Sequence, residues 1–159
     1  MNKNKKGFTL VELLISVSVI IILTAIALPI FTTTGSNQIL VQNSENIKSD
    51  IRLVQAKALS GIVSGNNGYW GIRFICDGTG KSTNYLLGQP GDSNNPLSDI
   101  LNGSAKFLVG GIYVQCTNSF QVVFLKNSTK PANGGVSIVV KDGKNPDKTI
   151  VINSEGSIE

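Results

Sequence analysis

The sequence predicts an α+β protein in which one long N-terminal α-helix packs on a head of short antiparallel β-strands. Three observations carry this reading. Residues 13–31 form an almost wholly apolar run. Leu40, Ile47 and Val54 then recur every seven residues, with Ser44, Ile51 and Ala58 offset by four, which draws one apolar stripe along a helix. From Gly61 onward, runs rich in Val, Ile, Phe and Tyr alternate with clusters of Gly, Asn, Asp and Ser, the vocabulary of strands and turns.

The helix is expected from Phe8 to Ser60. Ser16, Ser18 and Thr24 are tolerable within it because their hydroxyls can bond carbonyls one turn back. Pro29 lacks an N–H and crowds the preceding turn, so a kink is expected there. Gln42, Glu45, Asn46, Lys48, Asp50, Arg52 and Lys57 fall largely off the apolar stripe, and Gly61 supplies a C-terminal stop.

Candidate strands are residues 69–76, 84–88, 106–116, 120–125, 136–141 and 149–153. Gly65-Asn66-Asn67-Gly68, Asp77-Gly78, Asn133-Gly134-Gly135 and Asp142-Gly143 mark turns, since these residues accept positive φ. Gly110-Gly111 predicts a bulge or a break into two strands. Residues 89–99 form the longest irregular stretch and the best candidate for a variable surface. The strand region is long enough for one modest core and too short for a second domain.

The first residues carry the sharpest signal. Lys3, Lys5 and Lys6 lead to Gly7, an apolar run begins at Phe8, and one carboxylate, Glu12, sits inside it. Apart from Glu12 nothing between Lys6 and Glu45 is charged. A carboxylate is costly in hydrocarbon, so its presence marks a function. Cleavage between Gly7 and Phe8 would create a positive α-amine about one helical turn before Glu12. An ordinary secretory signal peptide has similar parts, with residues 13–24 as its apolar region and Ala25-Ile26-Ala27 as its cleavage site. In that reading Glu12 has no use and Pro29 falls just after the cut.

Lys6-Gly7-Phe8-Thr9-Leu10-Val11-Glu12-Leu13-Leu14 resembles the class III leader and N-terminal methylation motif of type IV pilins and pseudopilins. The resemblance implies removal of residues 1–7 by a prepilin peptidase, methylation of Phe8, and pairing of Glu12 with a neighbouring subunit's N-terminal amine. It divides the chain into a leader (1–7), a membrane-spanning and filament-core helix half (8–35), and an amphipathic helix half with an extracytoplasmic head (36–159). Pro29 stands where such proteins commonly carry a helix-kinking proline. The implied partners are other pilins or pseudopilins, the prepilin peptidase, the inner-membrane assembly platform and the membrane itself. A long helix, a β-only head and the ending Ser154-Glu155-Gly156-Ser157-Ile158 are similar to the GspH/FimT group of minor pilins and pseudopilins. That similarity implies two antiparallel sheets. Some relatives linked to DNA uptake carry arginines beside the final glycine, where this chain has Glu155, Ser157 and Glu159. The function implied is a minor subunit of a type IV pilus or a type II secretion pseudopilus. The alternative is a DNA- or ligand-binding minor pilin of a competence or adhesion pilus.

Charge agrees with this topology. The chain has 14 basic and 10 acidic side chains, for a net charge of +4, and three of the lysines lie in the leader. Basic residues flanking an apolar segment stay cytoplasmic, which places the head outside the cytoplasm. The remainder is nearly neutral, so nucleic acid is not an expected partner.

Cys76 and Cys116 are the only cysteines. An even count in an extracytoplasmic domain favours a disulfide between them; two thiols packed as small hydrophobes are the alternative. No cofactor or metal is expected. The absence of histidine removes Ser-His-Asp triads and the usual zinc ligands, and no catalytic constellation can be named, so the chain reads as a non-enzyme. Gly80-Lys81-Ser82 imitates the end of a phosphate-binding loop, but Ile75 stands where its first glycine belongs. Asp142 to Asp147 offers oxygen ligands with Lys144 at a position an EF-hand gives to Asp or Asn, and reads as a hairpin turn. Tyr69, Trp70 and Tyr113 could stack bases but read as strand core.

Overall fold

The computed structural model describes residues 8–61, 68–92, 94–101 and 103–159, with the side chains of 27–34 left aside. The leader with Gly7, the Gly65-Asn66-Asn67 part of one predicted turn, and the side chain of Pro29 therefore lie outside the described residues. Helix α1 runs Leu10–Leu59, slightly shorter at each end than expected, and Pro29 does not end it. The chain forms two compact units, the first reaching Ser36 and the second comprising Asn37–Glu159.

In the first unit every described side chain from residue 8 to 26 is exposed. Ser16, Ser18 and Thr24 donate to the carbonyls of Glu12, Leu14 and Ile20 at 2.7–2.8 Å, so these three hydroxyls are satisfied within the helix. Among the described residues no helix is long and apolar enough to cross a membrane. In sequence the apolar run continues to Phe31.

The second unit is built on the apolar stripe. Leu40, Ser44, Ile47, Ile51, Val54 and Ala58 are all buried, while the polar residues between them stay mostly outside. Ser44 fits this apolar line because its hydroxyl donates to the Leu40 carbonyl at 2.7 Å. The helix stops where Gly61 takes φ 63°, and Asn127 N–H then caps the Ala58 carbonyl at 2.9 Å.

Among the described residues eight strands follow, forming two antiparallel sheets. They are β1 (Trp70–Phe74), β2 (Lys81–Ser82), β3 (Asn84–Gly88), β4 (Gly103–Phe107), β5 (Tyr113–Gln115), β6 (Phe120–Phe124), β7 (Val136–Lys141) and β8 (Lys148–Ile152). One sheet has the order β4-β3-β1-β6 and the other β2-β5-β7-β8. The run 106–116 breaks into β4 and β5, one of the two outcomes expected at Gly110-Gly111: both glycines take positive φ (74° and 76°) and carry the chain from one sheet to the other. Strand β2, which the sequence reading did not include, is only two residues long, too short for any periodicity to reveal.

Ile72, Phe74, Tyr85, Leu87, Val122 and Phe124 of the first sheet share one buried cluster with the helix stripe and with Val114, Ile138, Val140, Ile150 and Ile152 of the second. Each such side chain contributes about 1.5–3 kcal/mol when fully buried. Cys76 and Cys116 form a disulfide with Cα atoms 6.2 Å apart, joining the chain just after β1 to the chain just after β5 and so tying the two sheets together.

Candidate functional site

The N-terminal motif begins with Phe8, whose side chain is 81% exposed. Thr9 precedes the first helical residue and acts as its cap. Glu12 N–H donates to Thr9 Oγ1 at 3.3 Å, while Thr9 N–H and Oγ1–H donate to Glu12 Oε2 at 3.0 and 2.9 Å. This reciprocal pair is a capping box, which satisfies two otherwise orphaned groups at a helix start. The sequence reading singled out Glu12 and missed Thr9, although the spacing Thr-x-x-Glu before an apolar run is the signal for it. Only Oε2 is used in the box. Among the described residues Oε1 has no hydrogen-bond partner.

Around this carboxylate the helix is apolar on all sides. Leu10, Val11, Leu13, Leu14, Ile15 and Val17 are exposed, and the pattern continues to Ile26. A helix that is apolar all round needs a covering of lipid or of other helices.

The head positions its polar side chains differently. The Gly80-Lys81-Ser82 segment is a turn leading into β2: Asp77 Oδ1 accepts from Thr79 Oγ1, Thr79 N–H and Lys81 N–H at 2.7–3.0 Å. The Thr79 hydroxyl, then the two backbone N–H groups, hold the Asp77 carboxyl below its ordinary range. In the β7–β8 turn Asp142 accepts from the backbone N–H groups of Asn145 and Lys144 and from the Asn145 amide, which lower its pKa. Both carboxylates thus organise their own turns. Lys141 is paired with Asp147 at 2.9 Å, which raises its pKa. Among the described residues no group of acidic or cysteine side chains is placed to hold a metal ion.

Two of the three aromatic candidates, Trp70 and Tyr113, already have cations on their faces. Lys57 Nζ lies 4.4 Å from the Trp70 ring centroid and Lys81 Nζ 4.7 Å from that of Tyr113. The long loop is fixed against the outer side of its sheet. Arg73 pairs with Asp99 at 3.0 Å and donates to the Ile100 carbonyl, while Gln121 donates to Leu97 and Ser98 and accepts from Ile100 N–H. Ile100 is fully buried beneath it. A cleft of about 580 Å³ lies beside this loop, lined by Lys57, Trp70, Leu87, Pro90, Leu101 and Ser104.

Residues 2–28 match the family described as the prokaryotic N-terminal methylation motif. A search of curated proteins found no match. Among solved structures the chain is similar to the type IV minor pilin FimU of Pseudomonas aeruginosa strain PAO1 in two crystal forms. In the first the TM-score is 0.52 at 10% identity, covering 76% of this chain and 86% of FimU. In the second it is 0.51 at 8% identity, covering 72% and 86%. At that identity the likeness establishes the fold, a helix packed on two antiparallel sheets.

Proposed function

We propose that this type IV pilin-like chain is a minor pilin or pseudopilin, a structural subunit of a type IV pilus or of a type II secretion pseudopilus. The single observation that carries the proposal is the first helical unit: apolar on every exposed side, with one carboxylate at its third position. The motif match and the head fold support the same reading.

In this mechanism the segment after Phe8 anchors the chain in the inner membrane, with the lysine-rich leader inside and the head outside the cytoplasm. Prepilin peptidase cuts between Gly7 and Phe8, and the new amine of Phe8 is methylated. Assembly replaces lipid around the apolar helix with neighbouring helices. Glu12 then serves twice: Oε2 closes the capping box of its own helix, and Oε1 accepts the charged N-terminal amine of an adjacent subunit. A carboxylate satisfied on both oxygens is tolerable in an apolar filament core; one left half-satisfied is not. Within the pilin-like fold, the GspH/FimT group is the proposed relation. Its support is the β-only head closed by a strand, Gly156 and a short tail.

N-terminal sequencing of the mature protein tests the reading. The expected result is a methylated phenylalanine, Phe8, as first residue. A mature chain beginning at Leu28, after Ala27, would identify an ordinary signal peptide and overturn it.

A further inference from the structure

The second unit begins at Asn37, so residues 37–43 mark the end of the head that follows the apolar segment along the chain. Both sheets are fastened to that stretch. The Asn43 side chain accepts from Val109 N–H at 3.3 Å and donates to the Val109 carbonyl at 3.4 Å. A Cβ on Gly110 would stand 2.7 Å from Ile39 Cγ2, so the end of the β4 run lies against Ile39. From the other sheet, Lys148 and Thr149 line a depression of about 150 Å³ with Val41 and Ser44. The β7–β8 turn therefore stands at the same end.

This end is unusually apolar for a protein surface. Phe107 is 70% exposed and Val109 63%, and Ile39 is exposed beside Gly110. Single exposed apolar residues are ordinary, but several gathered at one end of a domain mark a surface that something covers. Lys106 and Lys144 add positive charge, and among the described residues neither has an ion-pair partner. The nearby carboxylates are engaged. Glu45 pairs with Lys48 and Asp147 with Lys141, Asp50 accepts from Tyr85, and Asp142 accepts from its own turn. The opposite end of the helix, at Leu59, lies 20 residues beyond Ile39, about 30 Å along the axis.

We propose that this end of the head docks on a lipid bilayer. Before assembly Phe107, Val109 and Ile39 enter the headgroup layer of the membrane that holds the chain, and Lys106 and Lys144 face anionic lipid headgroups. The inference rests on the reading of the segment after Phe8 as a membrane anchor. Three features select lipid as the occupant. Only eight residues separate Phe31, where the apolar run ends, from Ile39, a reach of about 29 Å even when fully extended. So short a tether holds the surface at high effective concentration beside the bilayer, and a weak contact then suffices. An aromatic ring and branched aliphatic side chains beside lysines suit the membrane–water interface, where rings settle at headgroup level. Anionic headgroups attract lysines that lack a partner in the protein. Docked in this way, the head turns its Leu59 end away from the membrane.

Full-length protein in vesicles of phosphatidylethanolamine and phosphatidylglycerol tests the docking. Each variant carries one added cysteine with a nitrobenzoxadiazole probe; Cys76 and Cys116 are bridged and take no label. Spin-labelled lipids then quench the probe according to depth. A probe at Ile20→Cys, quenched by acyl-chain spin labels, reports the anchor. Probes at Phe107→Cys and Val109→Cys should lose most of their emission to headgroup spin labels, while one at Leu59→Cys keeps its own. Adding Phe107→Asp should restore the emission of the Val109 probe. Quenching at Ile20 with none at Phe107 or Val109 overturns the docking and leaves the anchor standing; a neighbouring subunit is then the remaining occupant. No quenching at Ile20 removes the anchor and the docking with it. Equal quenching at Leu59 and Val109, or quenching at Val109 that survives Phe107→Asp, also overturns the docking, because the head would meet the bilayer without using this surface.

Discussion

Gln55 and Gly156, 101 residues apart in sequence, are joined by a hydrogen bond of 2.8 Å from the Gln55 Nε2 amide to the Gly156 carbonyl. The same amide nitrogen donates to the Thr129 carbonyl at 2.9 Å. One side chain of α1 thus holds two loops, and Gly156 reaches it only by taking φ 90°. A Cβ on Gly156 would run into the Thr129 carbonyl. Gly156→Ala is therefore expected to cost about 1–3 kcal/mol from backbone strain alone, read as a lower urea midpoint. An unchanged midpoint would show that the last turn is not fixed by this contact.

The Cys76–Cys116 bridge closes a loop with a sequence separation of 40 and spans both sheets. In the chain-entropy model a loop of that size stabilises by about 4 kcal/mol. Replacing both cysteines by serine should lower the thermal midpoint markedly while leaving the strand content of the folded protein unchanged. Identical midpoints with and without reductant would sink this assignment of the bridge's role.

The proposed function gives Glu12 two separable tasks, and three substitutions distinguish them. Glu12→Gln keeps an oxygen for the capping box and loses the charge; Glu12→Ala loses both. Thr9→Ala loses only the cap. All three proteins should be processed after Gly7. Filament incorporation should fail for both Glu12 variants and persist for Thr9→Ala, with the amount of subunit in sheared filaments as the measurement. Normal incorporation of Glu12→Gln would remove the charge from the mechanism.

Tyr85 predicts an alkaline dependence of stability. Burial, then the 2.8 Å hydrogen bond to Asp50 and the charge of that carboxylate, push the Tyr85 hydroxyl well above its ordinary value of 10. A raised folded pKa contributes stability that is complete below the unfolded value and lost as pH rises toward the folded one. The urea midpoint should therefore begin to fall above about pH 10. In Tyr85→Phe the same pH range should produce a smaller fall, from a lower starting stability, because Asp50 loses its donor. Parallel pH profiles for the two proteins would refute the linkage.

Much of this was legible before any coordinates. The heptad-spaced residues from Leu40 to Ala58 are the buried helix face, because burial against a sheet leaves a periodic record. Gly61, Gly110-Gly111 and Gly143 turn the chain where their residue type indicated, since positive φ is a local property. Other features left no local trace. The anchoring of residues 97–100 by Arg73 and Gln121 depends on side chains from two strands meeting one loop. The exposed edge of β4 depends on which strand ends the sheet, which no composition records. The Thr9 cap, by contrast, is written locally, as Thr-x-x-Glu before an apolar run.

By itself the sequence determined the α+β class, the apolar first helix, the anomalous carboxylate and the buried face of the second helix half. Each follows from interactions within a few turns of chain: solvation, helix period and backbone φ. Tertiary structure decided which strands pair within the two sheets, that Cys76 is bridged to Cys116 rather than packed as a thiol, that Gln55 holds Gly156, and, among the described residues, that β4 keeps an exposed edge. Those are pairings across tens of residues, set by how sheets and helix jointly bury one core rather than by any segment's own preference.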